Sequence, residues 1–151
     1  MKSAYIILLF TMLVCAVNQA CLAAETDHAG IVKSVAGDVV IVRNGTPIRA
    51  EVNTKLLRLD TIRTGPDGKV GMILEDDTVI SMGSNSRIAI ENFMFQPNEH
   101  KLSLIARIFQ GTASFISGQI AKLAPNQVRV ETPSATIGTR GTEFLVKVDP
   151  E

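Results

Sequence analysis

From Ala29 to Val148 apolar and polar residues alternate with a period of two almost throughout, as strands with one buried face require. Residues 38–43, "DVVIVR", lead into Asn44-Gly45 and a second run from Thr46, which predicts a tight hairpin. "TIRTGPDGKVGMILE" reads as two strands joined at Gly65-Pro66-Asp67-Gly68, where proline and glycine suit the turn. Val70, Met72 and Leu74 share one face. Asp76-Asp77 turns the chain into "TVISM", and Gly83-Ser84-Asn85-Ser86 turns it into "RIAIENFMF". Pro97-Asn98-Glu99 precedes "KLSLIARIF", with Leu102, Leu104 and Ile108 on one face, and Gly111 introduces "TASFIS". "GQIAKLAPN" breaks the rhythm and predicts a short helical turn. "QVRVET" and "GTEFLVKV" follow as strands, with Phe144, Val146 and Val148 on a common face.

Short strands with a turn roughly every 8 to 12 residues predict an all-β domain of antiparallel strands and hairpins. Both a sandwich and a β-solenoid-like stack fit that rhythm, since no repeat is clean enough to count coils. No linker-like segment interrupts the pattern, so one β domain is expected over residues 28–150.

Ahead of it lies a different composition. Lys2 precedes an apolar run from Ala4 to Val17, small residues follow at Ala20, Cys21, Ala23 and Ala24, and polarity begins at Glu25. This is the layout of a signal peptide, too short to span a bilayer comfortably. Residues 1–24 are therefore expected to be removed after Ala23 or Ala24, leaving a periplasmic or secreted chain without a membrane span. The alternative is an uncleaved anchor. Cys15 and Cys21 both fall inside this segment, so the mature chain would hold no cysteine for a disulfide, nucleophile or metal. Lipidation of Cys21 is disfavoured by Asn18, where an aliphatic residue is expected.

The chain has 15 basic and 15 acidic residues, and loss of Lys2 would leave 14 against 15. With basic residues scattered along the sequence, there is no electrostatic case for nucleic acid or an anionic membrane.

Catalysis needs convergent titratable or nucleophilic groups, and the sequence offers few. His28 and His100 match no metal-ligand spacing and read as solvated surface residues. "GPDGK" at 65–69 lacks the spacing of a phosphate loop. Glu75-Asp76-Asp77 raises calcium, but consecutive side chains on a strand diverge, and Asp76 is expected to be solvated in a turn. Asn44-Gly45-Thr46 matches a glycosylation sequon, although the hairpin alone accounts for it. No catalytic residue, cofactor or metal site is expected.

The densest motif is "PSATIGTRGTEFLVKV", residues 133–148. Gly138 and Gly141 permit backbone angles closed to other residues, so Arg140 is expected at a sharp double bend. Its guanidinium there ties down strand-end carbonyls or a carboxylate, or faces an anionic ligand.

Taken together, the sequence resembles the FecR domain family of bacteria. The resemblance rests on the run from Ala29 to Ile90, on "ARIFQGTASFISG" and on "VETPSATIGTRGTEFLVKV". Asp60, Ile62 and Thr64 match one element and Asn85-Ser86 another. Thr132, Pro133, Ala135, Gly138, Arg140, Gly141, Thr142 and Phe144 match the terminal motif. Leu59 and Asp77 stand where the family usually has glycine, which implies a locally different backbone. The resemblance implies an exported β-rich domain. In the family's namesakes it is joined to a cytoplasmic anti-sigma segment, and only Met1-Lys2-Ser3 precedes the apolar run here. The expectation is a non-enzymatic binding or protein-interaction module of the envelope, its partner an envelope protein or surface polysaccharide. The alternative is a periplasmic sensor component signalling through a membrane partner.

Overall fold

The computed structural model describes residues 28–138 and 143–150. Its strands are β1 (His28–Ala36), β2 (Val39–Arg43), β3 (Thr46–Arg49), β4 (Lys55–Leu57), β5 (Thr61–Thr64) and β6 (Lys69–Leu74). They continue as β7 (Val79–Met82), β8 (Arg87–Gln96), β9 (Lys101–Ile116), β10 (Val128–Glu131), β11 (Thr136–Gly138) and β12 (Glu143–Val148). One short helix, α1 (Gln119–Leu123), stands where the rhythm breaks. The fold is mostly antiparallel β, as the alternation predicts, and the sheet curls around one core.

The path through the sheet is β3-β2-β5-β8-β9-β7-β6-β1-β4. The first half of β9 pairs with β8 and, in parallel, with β10. The second half pairs with β7 and β12. The hinge between the halves is Gly111, at φ +91°. A Cβ there would lie 2.1 Å from Ser86 Oγ, so this crossing requires glycine. Buried positions on β9 are 104, 106 and 108 before the glycine and 113 and 115 after it. "KLSLIARIF" and "TASFIS" are thus one bent strand.

Asn44 and Gly45 take φ +50° and +79° and close the β2–β3 hairpin, as expected. Residues 65–68 do form a turn, with Gly68 N donating to Gly65 O at 3.0 Å. Yet β5 and β6 do not pair: that turn and the one at residues 83–86 carry the chain from one part of the sheet to the other. Thr64 Oγ1 accepts from Ser86 N (2.9 Å) and donates to Gly83 O (2.6 Å). Ser86 Oγ accepts from Thr112 N (2.9 Å). These buried hydroxyls satisfy backbone groups where the ladders diverge.

Inward rows run straight across the strands. Val32, Met72, Ile80, Phe115 and Phe144 form one, and Ile41, Ile62, Ile88 and Ile108 another. All but Phe144 are buried.

At the two positions without the family's glycine the backbone is left-handed. Leu59 and Asp77 hold φ of +71° and +65°, a region costing a non-glycine residue roughly 1–2 kcal/mol. Leu59 is 63% exposed, so little packing offsets that strain. Leu59→Gly should stabilise the protein by about 0.5–1 kcal/mol after glycine's larger unfolded-state entropy is set against the relief. Urea denaturation checks this; a lower midpoint would mean the leucine side chain is the larger contributor.

Candidate functional site

The structure first relocates the acids and histidines. Asp76, expected to be solvated, is fully buried. Its carboxylate accepts from Thr78 Oγ1 (2.7 Å), Thr78 N (3.2 Å) and Ile120 N (3.3 Å). In the turn between β6 and β7, Glu75 and Asp77 are exposed and Asp76 points inward, where it docks the start of α1. Gly118 lies against the same turn, too close for a Cβ. His28 is also corrected: it is half-buried, and Nδ1 pairs with Glu75 Oε1 because β1 lies beside β6. His100 is exposed at φ +56°, as a turn residue. Among the described residues no group of His, Cys, Asp or Glu is placed to hold a metal ion.

Asp60 is buried too. Arg43 grips it with both Nε (2.9 Å) and Nη2 (2.7 Å), and Leu57 N donates to it at 2.8 Å. The hydrogen bond to Asp60 raises the Arg43 guanidinium above its usual pKa. Arg43 Nη2 also reaches Lys55 O at 2.8 Å, so this pair fastens β2, β4 and the turn before β5.

Of the terminal motif, Thr132 closes the β10–β11 hairpin, its Oγ1 accepting from Ala135 N (3.0 Å). Pro133 is exposed in that turn. Gly138 ends β11 outside the left-handed region, and a Cβ on it would meet no described atom; the special backbone angle expected there is not needed. Phe144 stacks on Phe115, ring centroids 5.1 Å apart and nearly parallel. Arg140, Gly141 and Thr142 lie outside the described residues. The described motif residues are hairpin and core elements.

Two clefts lie on the outward face of β2, β3 and β5. One of about 610 Å³ is lined by Gly37, Asp38, Val40, Pro47, Arg49 and Asp67. A second of about 280 Å³ shares Asp38, Val40 and Pro47 and adds Val42, Arg63 and Gly65. Register explains the cations. Arg49 pairs across to Val40, Val40 to Arg63, Arg63 to Arg87, and Arg87 to Gln110. Each arginine neighbours an isoleucine in sequence, and those of β5 and β8 point inward, so the arginines point outward. Strands about 4.8 Å apart therefore bring three exposed arginines into one row. The basic residues scattered in sequence are gathered by topology, a correction to the charge reading. No ion pair among the described residues engages Arg49, Arg63 or Arg87. Arg87 stands 4.5 Å from the centroid of the Phe109 ring. Arg63 directly opposite Arg87 is a like-charge pair, unfavourable by some tenths of a kcal/mol or more, so stability does not account for the row.

The family model for FecR protein matches residues 60–151. The chain belongs to the FecR family. The match begins at Asp60, so Arg63, Arg87 and the terminal motif fall within it, whereas Val40, Arg49 and β1 to β4 precede it. No curated protein and no solved structure matches the chain. Its FecR region is nonetheless not separable from what precedes it, since β5 and β6 pair with β2 and β1.

Proposed function

We propose that this FecR-family chain is an exported, non-enzymatic binding module of the bacterial envelope. Its binding face is the arginine row over the β2–β3–β5 cleft, and its partner presents an acidic, extended segment. The row carries the reading. Guanidiniums outside any ion pair, flanking the apolar floor of Val40, Val42 and Pro47, suit carboxylates on a partly apolar ligand, because guanidinium is weakly hydrated and forks onto carboxylate. Asp38 and Asp67 at one end set the direction in which such a segment lies. Export is supported by the layout of residues 1–24, and envelope signalling by the family. We read residues 28–150 as one domain, and the core shared by the two parts of the sheet supports a sandwich-like arrangement over a solenoid.

The test is capture of partners from an envelope fraction by the wild type and by the Arg49→Glu, Arg63→Glu double variant. The variant should lose captured acidic partners, and wild-type capture should fall with added salt. Stability should move by less than about 1 kcal/mol, because both sites are exposed and the acid introduced by Arg63→Glu would oppose Arg87 favourably. Unchanged capture with an intact fold would refute the proposed face.

A further inference from the structure

Among the described residues the sheet ends at four strands, and three of them are poor templates for another strand. β3 contains Pro47, whose missing N–H blunts pairing on its open side. β4 and β11 are three residues long. β12 differs: it has six residues, "EFLVKV", with no proline or glycine. Among the described residues it pairs with β9 alone, so its second edge presents unpaired backbone groups.

Side chains on β12 are placed unevenly. Phe144, Val146 and Val148 continue the core face, while Glu143, Leu145 and Lys147 face outward. Leu145, in the middle, is 68% exposed, the most exposed large hydrophobic residue described. Among the described residues nothing covers Leu145.

A second copy supplies the cover. We propose that β12 pairs antiparallel with β12 of another copy about a two-fold axis through Leu145, joining the two sheets edge to edge. In an antiparallel pair opposed residues share a face. With Leu145 against its equivalent, Glu143 opposes Lys147 of the second copy, and Lys147 opposes Glu143. Phe144 and Val146 oppose each other on the core face, extending the row that ends at Phe115 and Phe144. One register thus satisfies charge, apolar contact and backbone together, and a register shifted so that Glu143 opposes Leu145 loses the charge match. The contact is isologous and closes at two copies, so the edge is consumed and does not propagate. Lys147 is also 3.4 Å from Asp149, but both are highly exposed, and such a pair holds a lysine only weakly.

Light scattering on the purified protein over a wide concentration range tests this, together with hydrogen exchange at β12. A dimer is expected, with the β12 amides becoming protected as it forms. Glu143→Lys alone and Lys147→Glu alone each place like charges at both symmetry-related positions, and each should weaken dimerisation on the order of tenfold. The double exchange, Glu143→Lys with Lys147→Glu, restores opposite charges and should recover it. All four residue sites in the two copies are exposed, so the variants should fold, which circular dichroism verifies. A monomer at every concentration overturns the proposal. So does a dimer indifferent to the single reversals, a double variant as weak as the singles, or β12 protection in a monomer, which would mean that another segment covers the edge.

Discussion

Asp60→Ala should lower stability by about 2–4 kcal/mol and the melting temperature by roughly 10 °C. The carboxylate is 1% exposed, and its removal strands the Arg43 guanidinium and the Leu57 N–H together. Arg43 retains partial solvent access, which keeps the loss below that of a fully enclosed pair. The control is the combined Asp60→Ala, Arg43→Met variant. Removing the orphaned cation should return at least about 1 kcal/mol, since much of the damage is an unpaired charge rather than a missing attraction. Thermal and urea unfolding of the three proteins decide it; additive losses would show that Arg43 finds water or another partner without cost.

The second large effect is expected at Asp76. Alanine there leaves Thr78 Oγ1, Thr78 N and Ile120 N without their acceptor in a site with no exposure. About 2–3 kcal/mol should be lost, with α1 and the segment at Gly118 loosening first, because both are held against this turn. Asp76→Asn keeps one carbonyl oxygen and should fall between the wild type and alanine. A change within about 0.5 kcal/mol, the range of an ordinary surface substitution, would return Asp76 to a solvated role. His100→Ala, at an exposed turn, is the matched control and should fall within that range.

The difference between Asp76 and its neighbours shows where sequence reasoning stops. Alternation alone makes one of Glu75, Asp76 and Asp77 face opposite to the other two, and the period is visible in the sequence. The phase of Val70, Met72 and Leu74 runs on to Asp76, but that a buried carboxylate finds donors there depends on a helix arriving from residue 119, which no local pattern reports. Strand existence was legible for the same reason, since a period of two is a property of single segments. Pairing was legible at Asn44-Gly45 but not at residues 65–68, which have the chemistry of a hairpin turn although the strands on either side belong to different parts of the sheet. The arginine row illustrates the same limit. Each of Arg49, Arg63 and Arg87 adjoins an isoleucine, which marks it as facing the opposite way. Their alignment required the registers of β2, β5 and β8, and composition offered no hint because the net charge is balanced. The terminal motif worked in reverse. It carried the family correctly, while its described residues proved to be core and hairpin elements, and Arg140, Gly141 and Thr142 lie beyond what is described.

The bend at Gly111 has a consequence for how this chain tolerates change. An inserted residue in an ordinary strand reverses every side chain beyond it, exchanging core for solvent. On β9 the change of phase from even to odd buried positions is already built in between Ile108 and Gly111, where Phe109 is the extra residue of a bulge opposite β8 and the glycine bends the strand. The two halves of β9 therefore keep separate time. A length change confined to the β8–β9 hairpin can be accommodated without turning Ala113 and Phe115 away from the core. β9 joins both parts of the sheet, yet the burial phase of each half is set by its own neighbours, β8 and β10 before the bend and β7 and β12 after it.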